Sequence, residues 1–338
     1  MDFAELHCTS AFTFLTGASQ PEELVLQAWR QGYRALAITD DGSLAGVVRA
    51  YQARENLKKT LEDEGRTLDF RLIVGSHFRL HQDRGELRLV LLARDRQAYG
   101  EISTLITRGR RRAEKGHYRL HWQDLTRIDR NALCLWLPAG DDRDEHHAAL
   151  LKAHFGERLW LACELLQDRN DALHYRYCYQ LADRFGLAMT AANDVHYHRP
   201  ERQRLQELLT ALRLNTTVRD LGRRRFQNDQ RHLRGLDRLA GIYPPALLEE
   251  AAWIAEQCHF EMDEIRYQYP EEVVPPGQNA DDYLAALAHQ GAEARYPDGV
   301  PDRVRALVDK ELGLIRQLGY AHYFLTVHDI VAFARGQG

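Results

Sequence analysis

The sequence predicts an α/β fold in which a parallel sheet or barrel precedes a mainly helical segment. Up to about residue 200, short apolar runs suited to buried strands alternate with helical patterns. Side chains with metal-binding chemistry follow several of these runs, which is where a barrel places its chemistry. Beyond Pro200 the strand pattern fades and helical periodicity takes over. The 338 residues, 44% of them hydrophobic, are enough for more than one core.

The first helix is marked at both ends. Ser19 and Glu22 have the spacing of a capping box at the start of a helix over Pro21–Trp29, and Gly32 stands where helices commonly end. The apolar run Ala35–Thr39 then predicts a buried parallel strand.

Later elements continue the alternation. Apolar residues recur every four positions from Leu173 to Phe185, and Gly186 ends that helix. Apolar runs predict four more strands, at Leu72–Gly75, Leu89–Ala93, Leu133–Leu137 and Leu187–Ala191. Helical periodicity predicts four C-terminal helices, at Ala246–Glu256, Ala280–His289, Val304–Leu318 and His322–Arg335.

Composition argues against several classes of protein. The five cysteines are scattered and form no CxxC pair, which argues against a disulfide framework or a zinc knuckle. No apolar run reaches the roughly 20 residues of a membrane span, and the start lacks the basic and apolar regions of a secretory signal. We expect a cytoplasmic protein without membrane partners.

Strand ends supply the candidate metal site. Asp194 and His196 lie two residues apart after a strand, so alternation predicts that both side chains point the same way. His7, Asp40 and His77 also fall at or just past predicted strand ends, and could converge with them on one pocket. For His77 the alternative is an ordinary hydrogen-bonded side chain.

Two basic clusters are candidates for DNA contacts. Arg110, Arg111, Arg112 and Lys115 belong to one segment, in which Tyr118 offers a stacking face. The second cluster consists of Arg223, Arg224 and Arg225. The alternative for each cluster is a solvated surface loop.

Several motifs in register resemble the N-terminus of bacterial error-prone C-family DNA polymerases, the DnaE-type alpha subunits of the ImuC class. The similar segments are 5–19, 35–40, 43–50, 110–116, 193–202 and 318–327. The resemblance implies a distorted seven-stranded (β/α) PHP barrel, of the polymerase and histidinol phosphatase type, over residues 1–205. It implies that residues 206–338 are the truncated first part of a polymerase palm.

The resemblance also implies an activity and partners. The full-length relative is a DNA-directed DNA polymerase that uses Mg²⁺ on primer–template DNA in damage-induced mutagenesis and translesion synthesis. Sliding-clamp and mutagenic-repair accessory proteins would bind regions beyond this segment, which is not expected to polymerise DNA alone.

PHP phosphoesterases gather three metal ions, because clustered divalent ions activate water and hold phosphate oxygens. Relative to that pattern, this chain has His77 in place of a glutamate and Arg88 in place of a histidine. The surviving ligands are His7, Asp40, Asp194 and His196, with His77 as a fifth candidate.

Arg88 changes the expected chemistry of the pocket. A guanidinium cannot ligate a metal, but it can pair with Asp40, Asp41 or Asp194. The sequence therefore predicts zero or one divalent ion and a barrel that supports DNA without hydrolysing it. Two alternatives remain open: a metal-dependent PHP phosphoesterase or 3′–5′ exonuclease, and a docking module for accessory repair proteins.

Overall fold

The computed structural model describes residues 2–82, 85–127, 131–265, 270 and 273–337. A mixed sheet with the strand order β1-β2-β3-β4-β6-β7-β8 forms the centre of the fold, and the short β5 pairs with β3 outside this path. The strands are β1 Ala4–Glu5, β2 Ala35–Ile38, β3 Arg71–Gln82, β4 Gly85–Leu92, β5 Leu120–His121, β6 Leu133–Leu137, β7 Leu159–Glu164 and β8 Ala188–Ala192.

The two ends of the sheet meet just past β1 and β8. Cys8 forms a parallel bridge with Val195, whose backbone N–H donates to the His7 carbonyl at 2.9 Å. Thr9 N–H donates back to the Val195 carbonyl at 2.7 Å. This closure confirms the predicted distorted barrel with seven strands around the path.

One strand departs from the predicted parallel arrangement. Strand β4 runs antiparallel to both β3 and β6. The reason is the connection: only two residues separate Gln82 from Gly85, and a loop of that length can join only antiparallel strands.

Helices alternate with the strands along the chain and follow the last of them. They are α1 Pro21–Arg30, α2 Val47–Asp63, α3 Arg96–Arg111, α4 Trp122–Leu125, α5 Arg143–Phe155, α6 Asp171–Phe185, α7 Gln203–Arg213, α8 Leu236–Ala240, α9 Pro245–Glu256, α10 Ala280–Arg295, α11 Asp302–Leu318 and α12 Ala321–Gly336. In the part of the chain that the structure describes, no helix has the length and apolar character to cross a bilayer.

Helix α1 begins at Pro21 as predicted, but its capping box lies one residue later than predicted. The capping box is formed by Gln20 and Glu23, not by Ser19 and Glu22. The Ser19 hydroxyl is engaged elsewhere, since it lies 2.7 Å from His198 Nδ1 and accepts the His198 backbone N–H at 2.9 Å. The predicted end of α6 is confirmed: Gly186 caps it in the left-handed conformation at φ 59°.

The chain divides into two compact units, Met1–Ile265 and Arg266–Gly338. This division lies later than the sequence-based boundary at 205/206, because residues such as Arg234 and Leu248 are buried in the same core as the barrel strands. In the second unit, α10 and α12 pack around Leu284, Ala321 and Leu325. The assignment of residues 206–338 to a palm stays a prediction.

Candidate functional site

A cavity of about 280 Å³ opens at the carboxyl ends of the barrel strands. His7 reaches it from just past β1, His77 from β3, and Glu164 from the end of β7. Asp194 and His196 line it from the segment after β8. The structure therefore brings together four of the five predicted ligands, and adds Glu164.

His7 and Glu164 form the best-defined pair in the cavity. His7 Nδ1 donates to Glu164 Oε1 at 2.8 Å. Burial alone would raise the pKa of Glu164, but the hydrogen bond from His7 and the positive charges nearby lower it to about 2. The carboxylate is thus charged at neutral pH, and its contact with Nδ1 leaves Nε2 as the ring nitrogen of His7 that could reach an ion.

That Nε2 atom is the clearest candidate donor to a metal. It is buried, has no hydrogen-bond partner among the described residues, and lies 3.7 Å from Asp194 Oδ1. One donor atom each from His7, Glu164 and Asp194 lie within 4.8 Å of one another. A histidine with two carboxylates suits a divalent cation.

Asp194 is turned into the cavity by its backbone. Strand β8 ends at Ala192, and Asp194 has φ 43°, a left-handed conformation that aspartate tolerates better than most residues. Strand alternation is therefore the wrong reason for its proximity to His196, whose Nε2 lies 3.1 Å from Asp194 Oδ1. Burial and the nearby His7 lower the pKa of His196 to about 4, so His196 is neutral at neutral pH.

The second oxygen of Asp194 is occupied by Arg231. The guanidinium forms an ion pair with Asp194 Oδ2 and stacks on Phe226, with 4.5 Å from Cζ to the ring centroid. His196 meets the same ring, with 4.9 Å between ring centroids. A positive charge is therefore fixed beside the carboxylate that a metal would need.

Arg88, which was predicted to pair with an aspartate of the pocket, lies in the cavity but has another partner. Its Nη2 donates to the Pro138 carbonyl at 3.3 Å, and in the described chain no ion pair joins it to Asp40, Asp41 or Asp194. Asp41 pairs with Arg79 at 3.3 Å instead. The predicted type of interaction occurs, but through a different arginine.

Asp40 does not line the cavity with the other candidates. Its carboxylate is buried and accepts from Ser10 N–H at 2.9 Å, Ser10 Oγ at 2.7 Å and Thr13 Oγ1 at 2.7 Å. Burial nevertheless raises its pKa above the usual value. These contacts give Asp40 the role of holding the segment after β1.

His77 remains a candidate on geometric grounds. Its Nε2 is buried and has no hydrogen-bond partner in the part of the chain that the structure describes, and its ring centroid lies 5.1 Å from that of His7. Burial, His7 and the nearby arginines lower its pKa well below the usual value, so the imidazole is neutral. Neutral imidazole is the form that ligates metals.

A buried arginine ties the strand ends together beneath the cavity. Arg234 is fully buried; it donates to the Leu165 carbonyl at 3.0 Å and to the side-chain oxygen of Asn193. Asn193 in turn donates to the buried carboxylate of Glu5, which also accepts the His7 N–H at 3.0 Å. Leu165 and Asn193 adjoin Glu164 and Asp194 in the chain, and Glu5 lies two residues before His7.

The basic clusters differ in how free their side chains are. Arg110 donates to the Gly42 carbonyl at 3.0 Å, and Arg112 forms two hydrogen bonds with Asp124, the longer at 2.9 Å. Arg111 and Lys115 are exposed. In the second cluster all three arginines are exposed: Arg224 lines the cavity, and Arg225 pairs with Glu207 at 3.4 Å.

The fold is a seven-strand α/β barrel whose histidines and carboxylates gather at the carboxyl ends of the strands. These features define the class of α/β barrels that carry a candidate metal site at that end. The PHP domain family model matches residues 5–206, and the chain belongs to this family. A second model, the bacterial DNA polymerase III alpha NTPase domain, matches residues 282–338.

Two similar relatives carry the name error-prone DNA polymerase. The protein from Methylococcus capsulatus is 48% identical over 337 residues, and that from Pseudomonas aeruginosa is 46% identical over 335 residues. Each match covers 99% of this chain and 31% of the relative, so the chain spans about a third of their length. A solved amidohydrolase from Chromobacterium violaceum is 14% identical with a TM-score of 0.41, covering 57% of this chain and 87% of its own.

Proposed function

We propose that this chain is part of an error-prone DNA polymerase, in which the PHP barrel supports DNA and neighbouring domains without hydrolysing phosphoesters. The relatives and the second family match support the polymerase assignment. The observation that carries the supporting role of the barrel is the Arg231–Asp194 ion pair.

Charge in the cavity favours this role over phosphoester hydrolysis. Arginines at 79, 88, 213 and 224 line the cavity together with carboxylates at 41, 86, 164 and 194. Because the lining is already balanced and Arg231 adds a further cation at Asp194, three clustered divalent ions would meet strong repulsion. One ion at His7, Glu164 and Asp194, with His77 and His196 nearby, is the most that this arrangement favours.

The activity of the whole protein belongs to the same proposal. It would transfer nucleotides with Mg²⁺ on primer–template DNA during translesion synthesis and repair of damaged DNA. Residues 206–338 would begin its palm, and the sliding clamp and accessory proteins would be partners of other regions. A cytoplasmic location follows from this role.

Exposed basic side chains are the proposed DNA contacts. Replacing both Arg111 and Lys115 with glutamate is expected to lower the affinity for primer–template DNA. The slope of the logarithm of the binding constant against the logarithm of salt concentration should decrease by about one for each lost phosphate contact. Fluorescence anisotropy at several salt concentrations measures both quantities. Arg110 and Arg112 are unsuitable for this test, because their guanidinium groups bind the protein itself.

The matched control reverses Lys58 and Lys59, two exposed lysines on α2. It changes the net charge equally but on another surface. If both double variants weaken DNA binding by the same factor, the effect is one of net charge, and the proposed contact surface is wrong.

The second candidate function is a metal-dependent phosphoesterase or 3′–5′ exonuclease. The specific observation in its favour is the convergence of His7, Glu164 and Asp194, with His7 Nε2 lying 3.7 Å from Asp194 Oδ1. This function requires hydrolysis that depends on a divalent ion and is lost when Asp194 is changed.

A further inference from the structure

A second group of potential metal ligands lies outside the barrel cavity, between β7 and α6. It consists of Cys163 on β7 and of His174 and Cys178 on α6, and one donor atom from each lies within 4.8 Å of the others. We propose that these three side chains bind one zinc-class ion, with water as the fourth ligand. The proposal does not depend on the function of the barrel.

The local structure of β7 and α6 brings the three donor atoms close together. His174 and Cys178 are four residues apart in α6, so both side chains lie on the same face of the helix. That face packs on β7, where Cys163 is fully buried. Two ligands from one helix and one from the adjoining strand converge without any change in the backbone.

The distances agree with tetrahedral coordination. Cys178 Sγ lies 3.6 Å from His174 Nε2. In a tetrahedral zinc site, a Zn–S bond of about 2.3 Å and a Zn–N bond of about 2.05 Å place the two donors roughly 3.6 Å apart. The sulfur and nitrogen atoms therefore already have the separation of two ligands in such a site.

The donor atoms and the burial of their side chains indicate which ion the site would bind. Thiolate sulfur with imidazole nitrogen favours zinc and related soft or borderline ions over Mg²⁺ and Ca²⁺. Both thiols are fully buried, whereas His174 is half-buried and gives the site its access to solvent. With three protein ligands, the fourth position is left for water on the His174 side.

A bound ion would help to fix the position of Glu164. Cys163 immediately precedes Glu164 at the carboxyl end of β7, and the ion would join that end to α6. It would thereby restrict the strand end from which Glu164 contacts His7. Its effect on the protein is thus stability of the β7–α6 pair.

The test is Co²⁺ titration of the full chain, kept reduced with a non-thiol reductant in the absence of oxygen. We expect one equivalent of Co²⁺ to produce a thiolate-to-cobalt charge-transfer band with the visible spectrum of tetrahedral coordination, and Zn²⁺ to displace it. The Cys178→Ala and Cys163→Ala variants should lose the band. The His174→Ala variant, changed at a half-buried position where misfolding is less of a risk, should weaken Co²⁺ affinity by about tenfold or more.

Two controls separate this site from others. Cys258→Ala removes another buried thiol and should leave the band unchanged, as should His7→Ala in the barrel cavity. Absence of a charge-transfer band at one equivalent, in protein whose circular dichroism shows it is folded, would overturn the proposal. So would a band that persists in both cysteine variants.

Discussion

Replacing Arg234 with leucine is expected to lower the free energy of unfolding by about 3–5 kcal/mol, because it breaks a buried charged network. The variant removes the donors to the Leu165 carbonyl and to Asn193, whose side chain donates to the buried carboxylate of Glu5. Burial already raises the pKa of Glu5, which shows that its charge is costly in this environment. Urea unfolding followed by the fluorescence of the buried Trp136 and Trp160 measures the loss.

The matched control is Arg238→Leu. Arg238 is exposed on α8 and donates to the side chain of Gln167, so its removal should change stability by less than about 0.5 kcal/mol. A loss of under about 1 kcal/mol for the Arg234 variant would mean that the network beneath the cavity does not hold the strand ends.

Replacing Arg231 with methionine is expected to strengthen Mn²⁺ binding at the cavity by roughly tenfold to a hundredfold. The change removes the cation that pairs with Asp194 and leaves Oδ2 of that carboxylate open to an ion. Methionine keeps an apolar side chain against Phe226, which limits the effect on folding. Electron paramagnetic resonance of free Mn²⁺ measures the affinity.

Arg225→Met is the control for this measurement. Arg225 belongs to the same segment, is exposed, and pairs with Glu207 at 3.4 Å. Its removal should leave Mn²⁺ affinity within about twofold of the parent. Equal affinities for the parent and the Arg231 variant would show that the guanidinium does not oppose the ion.

Much of the fold follows from local sequence signals. The end of α6 at Gly186 and the strand β6 at 133–137 could be predicted from the sequence, because each depends on a signal only a few residues long. The antiparallel β4 was missed for a physical reason: its apolar run resembles a parallel strand, and only the two-residue connection to β3 reveals the direction.

The site was harder to predict, because its residues meet only after folding. Glu164 was missed together with its strand, although Leu159–Cys163 is an apolar run directly followed by a carboxylate, the same signal that identified other strand ends. Arg231 had no such signal, since it lies in a segment without regular structure, 37 residues beyond Asp194, and reaches that carboxylate only through the packing of residues 206–265 on the barrel.

The claim that the barrel supports DNA without hydrolysing phosphoesters is tested most directly by its own hydrolytic activity. The measurement is the Mn²⁺-dependent release of product from bis(p-nitrophenyl) phosphate and from 3′-labelled single-stranded DNA, by the parent chain and by Asp194→Asn prepared identically. We predict equal rates for the two proteins, with and without Mn²⁺. A Mn²⁺-dependent rate that the parent shows and the Asp194 variant lacks would contradict the account and identify the cavity as a phosphoesterase site.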